Sequence, residues 1–219
     1  MSPDPELLRA EFLGMAVRHD DLPRDRDTPA LLLARSGEAY ELNRLEFTDD
    51  MATLTGANGA ELTMRPGQTT ASSSTPLGFH EGLGRALGLL AEGLAPHEPE
   101  RLWIEDLTLI AAWDTEEPDG ARRYLTRDVL ALDAERLQLL GSEDEDASHG
   151  LRVWRRFGDG SLDVAIEPMH SDPSRFYLRL AYAQDEPVGD LAAVGDRAEA
   201  LNAYLHGRLA EFILARAPR

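Results

Sequence analysis

Alternating apolar and polar residues predict three strands in the last third of the chain. Leu162, Val164 and Ile166 are separated by charged or small residues, which is the two-residue period of a strand with one buried face. The same reasoning gives strands over 151–157, 162–168 and 175–184. Apolar runs bounded by turn residues predict further strands over 30–36, 39–47, 51–55, 60–64, 102–113 and 137–140.

Apolar residues at helical spacing predict helices near the start and the middle of the chain. Leu8, Phe12 and Met15 recur every three or four residues, so we expect a helix over 4–18. A second helix is expected over 79–95, where small and apolar residues fall near one stripe.

A third helix is expected at the C-terminal end of the sequence. Asp196 and Glu199 have the spacing of a capping box, which predicts a helix over 196–216. Among the turns, Asn58-Gly59 is a strong signal for a tight hairpin. The remaining segments are 122–131, which fits either a strand or a helix, and 67–78 and 142–149, which have the composition of loops.

These elements indicate an α+β fold of antiparallel meanders with helices packed on one face. We expect two meander-plus-helix units, divided at the Pro-rich segment 96–99. The first, 1–98, would contain the N-terminal helix, a meander and a helix, and the second, 99–219, a meander and the long C-terminal helix. A single continuous domain over the whole length is the alternative.

The charge of the chain favours a protein as its partner. The 219 residues include 22 basic residues, all of them Arg, against 40 acidic ones, for a formal net charge of -18. Such a charge opposes binding to nucleic acid or to an anionic membrane, so we expect neither. A protein partner is expected, for which a basic protein is one option. Residues 1–6 lack the pattern of a signal peptide, which favours a cytoplasmic location.

The absence of two residue types excludes much catalytic chemistry. The sequence has no Lys, and therefore no phosphate-binding loop of the Walker type and no Schiff base. It has no Cys, and therefore no thiol nucleophile and no cysteine-based zinc or iron–sulfur site. We expect no cofactor and nominate no catalytic residue.

Acidic clusters raise the question of a metal site. Residues 143–146 are all acidic, and Asp114, Glu116 and Glu117 form a second group. Either group could hold Ca²⁺ or Mg²⁺, but neither has the spacing of a calcium loop. We expect both groups to be solvated and no metal to be bound.

The last three strands predict one surface with readable chemistry. A turn near Ser171 would set Glu167 opposite Arg175 and Asp163 opposite Arg179. The turn at 158–161 would then pair Phe157 with Leu162, so that Arg156 faces Asp163, Arg152 faces Glu167 and Trp154 lies beside Ala165.

The resulting face carries two acids and four arginines, with two aromatic residues between them. One interpretation is a solvated sheet face crossed by ion pairs. The other is a site for an anion or an acidic partner, because guanidinium groups bind carboxylates and phosphates bidentately. The candidate residues are Arg152, Trp154, Arg156, Arg175, Tyr177 and Arg179.

Three hypotheses for the function remain open. The leading one is a non-enzymatic acidic protein-interaction module of the chaperone, immunity or regulatory type, which is an analogy from charge and architecture. The second is a small-molecule-binding protein with an apolar cavity between a curved sheet and the C-terminal helix. The third is a hydrolase that uses paired carboxylates. The candidate liners of the cavity are Trp103, Trp113, Phe176 and Tyr182.

Overall fold

A single antiparallel sheet runs through the protein. The computed structural model describes residues 5–20, 27–56, 59–96, 99–139 and 148–215. Within these ranges nine strands lie side by side in the order β2-β3-β4-β5-β1-β6-β9-β8-β7. In chain order they are β1 (Leu8–His19), β2 (Leu42–Phe47), β3 (Ala52–Gly56), β4 (Glu61–Arg65), β5 (Gln68–Ser74), β6 (Leu102–Asp114), β7 (Leu151–Phe157), β8 (Gly160–Met169) and β9 (Asp172–Ala183).

The helices cover one face of this sheet. They pack on the buried residues that alternate along each strand, such as Leu62, Leu109 and Leu180, and so form the core. The α+β class with helices on one face is therefore confirmed. The helices are α1 (Thr28–Ser36), α2 (Phe79–Leu94), α3 (Gly120–Arg123) with a π-helical continuation (Tyr124–Val129), α4 (Ala134–Leu139), α5 (Leu191–Tyr204) with a π-helical continuation (Leu205–Leu209), and α6 (Ala210–Ala215).

A similar order of elements occurs twice along the chain, with a four-stranded meander in the first half and a three-stranded one in the second. Each half begins with a long strand, β1 or β6, continues through helical turns into a meander, and ends in a long helix. In each half the last strand of the meander returns to pair with the long strand, β5 with β1 and β9 with β6. The two long strands then pair with each other over eleven residue pairs, from Leu8↔Trp113 to His19↔Leu102. The sheet is thus continuous across the segment 96–99.

The expected N-terminal helix over 4–18 is wrong, because most of that segment is strand β1. The strand lies in the middle of the sheet, where Leu13, Met15 and Val17 face the helices and are fully buried. Gly14 and Ala16 face the opposite side. Small residues on that side obscure the alternation, and apolar residues at Leu8, Phe12 and Met15 imitate a helical period.

Three other elements differ from the sequence-based expectation. The segment 30–36 lies in helix α1, which begins beside Pro29, a residue suited to the first turn of a helix. The expected loop over 67–78 contains strand β5, whose small Ser and Thr residues fit between two neighbouring strands. Helix α4 occupies most of 137–140, of which residue 140 lies outside the described residues.

Several predictions are confirmed with small shifts in their limits. Strands β3, β4, β6, β7, β8 and β9 and helix α2 lie where they were expected, and β2 takes up only the second part of 39–47. The open alternative at 122–131 is resolved as helix. The C-terminal helix begins at Leu191, capped by Asp190, and therefore earlier than the expected cap at Asp196.

Two expectations fall partly outside the described residues. Asn58 of the predicted hairpin turn is one, and most of the acidic segment 142–149 is the other. None of the helices in the described part of the chain is both long and apolar enough to cross a bilayer.

Candidate functional site

All six candidate residues lie on the face of the sheet that the helices leave uncovered. Alternation along β7 places Arg152, Trp154 and Arg156 on this side, together with Asp163 and Glu167 of β8. Strand β9 contributes the other three. We call this surface the arginine–aromatic face, defined by Arg152, Trp154, Arg156, Arg175, Tyr177 and Arg179.

The pairing within this face differs from the expected register by two residues at the first turn. Phe157 pairs with Gly160 and not with Leu162. The turn is shorter because Gly158 has φ of +57°, a left-handed conformation that glycine adopts readily. Arg152 therefore lies opposite Ala165, and Trp154 lies opposite Asp163.

The second hairpin is also displaced by two residues from the expected register, but in the opposite direction. Glu167 lies opposite Tyr177 and not Arg175, and Asp163 lies opposite Ala181 and not Arg179. A displacement by an even number of residues keeps every side chain on its face. The residues that share the face were thus predicted correctly, while the cross-strand pairs within it were not.

Asp163 is the centre of the ion pairs on this face. Arg152 donates from Nε to Oδ1 at 2.9 Å and from Nη2 to Oδ2 at 2.6 Å. The Nη1 atom of Arg179 lies 3.6 Å from the same Oδ2. The hydrogen bonds from Arg152 lower the pKa of Asp163, and the charge of Arg179 and a hydrogen bond from Trp154 lower it further. Asp163 therefore remains ionised at neutral pH and fixes two guanidinium groups.

An exposed tryptophan stands beside this pair. Trp154 is 70% exposed, although its ring is a large apolar group. The guanidinium carbon of Arg152 lies 4.6 Å from its centroid, within the range of a cation–π contact. Arg152 thus holds both Asp163 and the indole, which restricts the side-chain motion of the tryptophan.

Arg175 has partners that the sequence did not indicate. Its Nε donates to Asp114 Oδ1 at 2.5 Å, and its Nη2 donates to Glu11 Oε1 at 2.8 Å. These carboxylates come from β6 and β1, which are distant in sequence but adjacent in the sheet. With Asp163 and Glu167 they bring the acids on or beside the face to four, equal to its arginines, so the positive excess expected from two acids is reduced.

Two arginines of β7 remain without an ion pair among the described residues. Arg156 lies on the arginine–aromatic face and is exposed. Arg155 points to the opposite side, where its guanidinium carbon is 5.5 Å from the ring of Tyr204. Among the described residues, β7 is the last strand of the sheet, so Arg155 lies at its edge. Strand β7 therefore carries two guanidinium groups that no described carboxylate neutralises.

The aromatic residues proposed as liners of a cavity have other surroundings. Trp113, Phe176 and Tyr182 are fully buried, and the rings of Trp113 and Phe176 are 6.4 Å apart in the core. Trp103 lies on the uncovered face, where the Arg18 guanidinium carbon is 4.2 Å from its ring. Only three of the four therefore face the helices, and these three pack as core residues.

A cleft of about 440 Å³ opens elsewhere, at one end of the sheet. It lies between the start of β1, the segment that joins β5 to α2, and the C-terminal helical region. Its lining combines apolar and titratable groups. They include Leu8, Arg9, Glu11, Thr75, Phe79 and His206.

Several carboxylates beside this face are bound by arginines or by hydroxyl groups. No group of three or more His, Asp or Glu side chains there has the arrangement of a metal site. Asp114 pairs with Arg175, and Glu117 pairs with Arg123 at 3.4 Å. Hydrogen bonds from Ser174 lower the pKa of Asp172, so that, like Asp163, it is shifted away from the range that suits a general acid.

Comparisons with known proteins assign the chain to no family. No protein-family model matches it. A search of curated proteins gives no significant match either.

Proposed function

We propose that the protein is a non-enzymatic interaction module that binds another protein through its arginine–aromatic face. The observation that carries the proposal is the exposure of Trp154, with Arg152 and Arg156 on either side of it along β7, on a sheet face that no described helix covers. Tyr177, Arg175 and Arg179 lie on the same face, two strands away on β9. Trp, Tyr and Arg are the residue types that contribute most to the energy of protein–protein interfaces.

The geometry of the face supports binding to a structured surface. Four of its six residues are held by contacts within the protein: Arg152 and Arg179 by Asp163, Trp154 by Arg152, and Arg175 by two carboxylates. Ordered side chains lose less conformational entropy when a partner binds. The face is therefore prepared for binding before the partner arrives.

The chaperone, immunity and regulatory classes remain the candidates for the biological role. All three use a small protein that occupies a surface of another one, and the net charge of -18 supports solubility in each case. The face itself favours a partner surface with carboxylates and apolar groups, because its own contribution is guanidinium and aromatic.

Affinity purification with mass spectrometry tests the proposal. Tagged wild-type protein and a Trp154→Ala variant would be isolated from the native host under identical conditions. We expect a protein that co-purifies with the wild type to be depleted at least tenfold with the variant, since a central aromatic anchor contributes about 2 kcal/mol or more.

Phe47→Ala is the matched control. Phe47 is also an exposed aromatic residue, 54% accessible, but it lies on β2 at the opposite end of the sheet. The control variant should retain the partner. Equal recovery of the partner with all three proteins would reject the face as the binding surface, and wild-type protein that recovers nothing above an untagged control would reject the interaction module.

Small-molecule binding is the second candidate, and the 440 Å³ cleft is the observation that favours it. Its volume lies within the range of ligand pockets, and Phe79 offers an apolar wall while Arg9 offers a cationic group. Burial lowers the pKa of the His206 imidazole, which favours its neutral form. A ligand that raises the melting temperature of the wild type but not of an Arg9→Ala variant would support this candidate. Equal stabilisation of both would place the ligand elsewhere.

A further inference from the structure

We propose that the outer edge of β7 accepts an extended acidic segment of a partner protein, which adds to the sheet as a further strand. The inference rests on the proposed function and specifies how the partner binds and what its chemistry is. It depends on three features of β7: the direction of its backbone groups, the exposure of its side chains and its charge.

The hydrogen-bonding pattern decides which backbone groups of β7 point outwards. Among the described residues, the strand is the last of the sheet and pairs with β8 alone. A two-residue turn makes Phe157 and Gly160 a hydrogen-bonded pair. Hydrogen-bonded and non-hydrogen-bonded pairs alternate along an antiparallel ladder. Counted from that pair, the N–H and C=O groups of Val153 and Arg155 point towards β8.

Three residues of β7 therefore present their backbone to solvent. The N–H and C=O groups of Arg152, Trp154 and Arg156 point away from the sheet. The Arg156 carbonyl accepts a hydrogen bond from Arg155 Nε at 3.2 Å, and no other partner for these outward groups occurs among the described residues. Such a row of unpaired groups is a template for another strand.

The side chains of β7 are exposed on both faces of the sheet. The five residues from Arg152 to Arg156 are all exposed, which no other strand of the described structure shows over such a length. Trp154 is 70% exposed on the uncovered face, and Val153 is 41% exposed on the helix side. An added strand would gain an apolar cross-strand contact on each face.

The charge of this edge favours an acidic occupant over a second copy of the chain. Arg155 and Arg156 have no ion pair among the described residues, whereas Arg152 is already paired with Asp163. In an antiparallel pair of two β7 strands centred on Trp154, Arg152 of each copy would lie opposite Arg156 of the other. Like charges in that position are destabilising, whereas Glu or Asp residues would be stabilising.

The opposite edge of the sheet lacks this charge. Strand β2 carries Arg44 and Glu46, which form an ion pair with each other. The one basic group of β2, Arg44, is therefore neutralised by Glu46. An acidic strand would gain little electrostatic attraction at that edge. The two edge strands therefore differ in charge, although each is the outermost described strand of its half.

A designed peptide tests the inference directly. The probe is an eight-residue peptide of alternating Glu and Val with blocked ends, titrated into isotopically labelled full-length protein and followed by NMR and calorimetry. We expect saturable binding, with the largest shifts and slowed hydrogen exchange at the amides of Arg152, Trp154 and Arg156. Binding should weaken as the salt concentration rises.

Two control peptides separate strand addition from simple charge attraction. The same peptide with N-methyl groups along both edges keeps its charge but cannot pair as a strand, and we expect its affinity to fall at least tenfold. A peptide with Lys in place of Glu should not bind. Equal affinity of the methylated and unmethylated acidic peptides would overturn the inference, as would no binding of the acidic peptide up to 1 mM.

A protein variant locates the site. In an Arg155→Glu, Arg156→Glu double variant we expect affinity for the acidic peptide to fall at least tenfold, whereas Arg44→Glu on β2 should leave it within twofold. Circular dichroism of each variant verifies folding, and the N-methyl comparison on the wild type keeps the test valid if one variant fails to fold. An equal loss with Arg44→Glu would overturn the assignment to β7.

The outcomes distinguish this inference from the proposed function. A native partner that is lost with Trp154→Ala, together with a peptide that does not bind, would reject strand addition and leave the interaction module standing. A dimer of the wild type with slowed exchange at the β7 amides would identify a second copy as the occupant and overturn the acidic partner.

Discussion

Asp163 shows how one side chain organises a surface. Its carboxylate binds Arg152 and lies near Arg179, and its side chain is only 14% exposed although it faces the uncovered side of the sheet. Removal of that charge would release two guanidinium groups at once. The position of the indole of Trp154 would then depend on its own rotamer preferences.

An Asp163→Asn variant is expected to be less stable than the wild type by about 1 kcal/mol at pH 7, since partly exposed ion pairs contribute no more than that. The folded-state pKa of Asp163 lies below its ordinary value of 3.8. The stabilisation is therefore complete well above that value and is lost as the pH falls through the folded-state pKa. Urea denaturation between pH 7 and pH 3 should show the difference between the two proteins shrinking towards the acid end.

Asp185→Asn is the control for this measurement. Asp185 is exposed and forms no ion pair within the described residues, so its variant should match the wild type across the pH range. A difference for Asp163→Asn that stays constant down to pH 3 would show that the lost stability does not come from the ionised carboxylate.

At the scale of single residues, the sequence predicts which side chains share the arginine–aromatic face but not their partners. The alternation of side chains along each strand decides which residues share the face. An error of two residues in the register leaves every side chain on the same face. The partners of Arg175 are Glu11 and Asp114, from strands whose position beside β9 depends on the topology of the whole sheet. A local pattern carries no information on that arrangement.

At the scale of elements, the start of the C-terminal helix depends on one cap. Asp190 has an extended backbone, and its carboxylate accepts a hydrogen bond from the N–H of Ala193 at 2.9 Å. Asp196, which the sequence suggested as the cap, lies within the helix and is exposed. The two residues therefore offer a matched comparison of the same amino acid in two positions.

We expect Asp190→Ala to lower the free energy of unfolding by about 1 kcal/mol, the usual cost of losing an N-cap. Asp196→Ala should change it by no more than about 0.5 kcal/mol, because the substitution is on the solvated side of a helix. Thermal and urea denaturation of both variants would check this. The reverse order would mean that the helix starts at the capping-box signal.

The strands that the sequence predicts well are those with charged or aromatic residues on the uncovered face. Strands β8 and β9 carry such residues, so their alternation is visible in the sequence. Strands β1 and β5 carry Gly, Ala, Ser and Thr where the alternation would show. Their assignment requires the pairing partners, which a single strand does not reveal.

At the scale of the whole molecule, the two halves of the chain share one sheet. Strands β1 and β6 pair along nearly their full length, so the residues before and after the segment 96–99 contribute to the same central region. Unfolding of one half would leave the long strand of the other half without a neighbour. We therefore infer that the described structure unfolds cooperatively.

The distribution of tryptophans allows a test of this coupling. All three, Trp103, Trp113 and Trp154, belong to the second half, whereas Leu54 is fully buried in β3 of the first half. We expect Leu54→Ala to destabilise the protein by about 2–5 kcal/mol. The denaturation midpoint measured by tryptophan fluorescence should shift as far as the midpoint measured by circular dichroism.

Thr55→Ala, on the uncovered face of the same strand, serves as the control and should shift both midpoints little. If Leu54→Ala moved only the circular dichroism transition and left the fluorescence transition unchanged, the halves would unfold independently. The sequence alone leaves this question open, because the pairing of β1 with β6 has no local signature.

The pairing of β1 with β6 also defines where the chain could be divided into two pieces that reassemble. A cut at 97–98 would give two pieces, each with its own meander and long helix, and each with one long strand left as a bare edge. Each piece would supply the missing neighbour of the other along that edge. When the two pieces are produced together, they have the geometry to reassemble without a covalent link. Fused to two other proteins, they would report when those proteins come into contact.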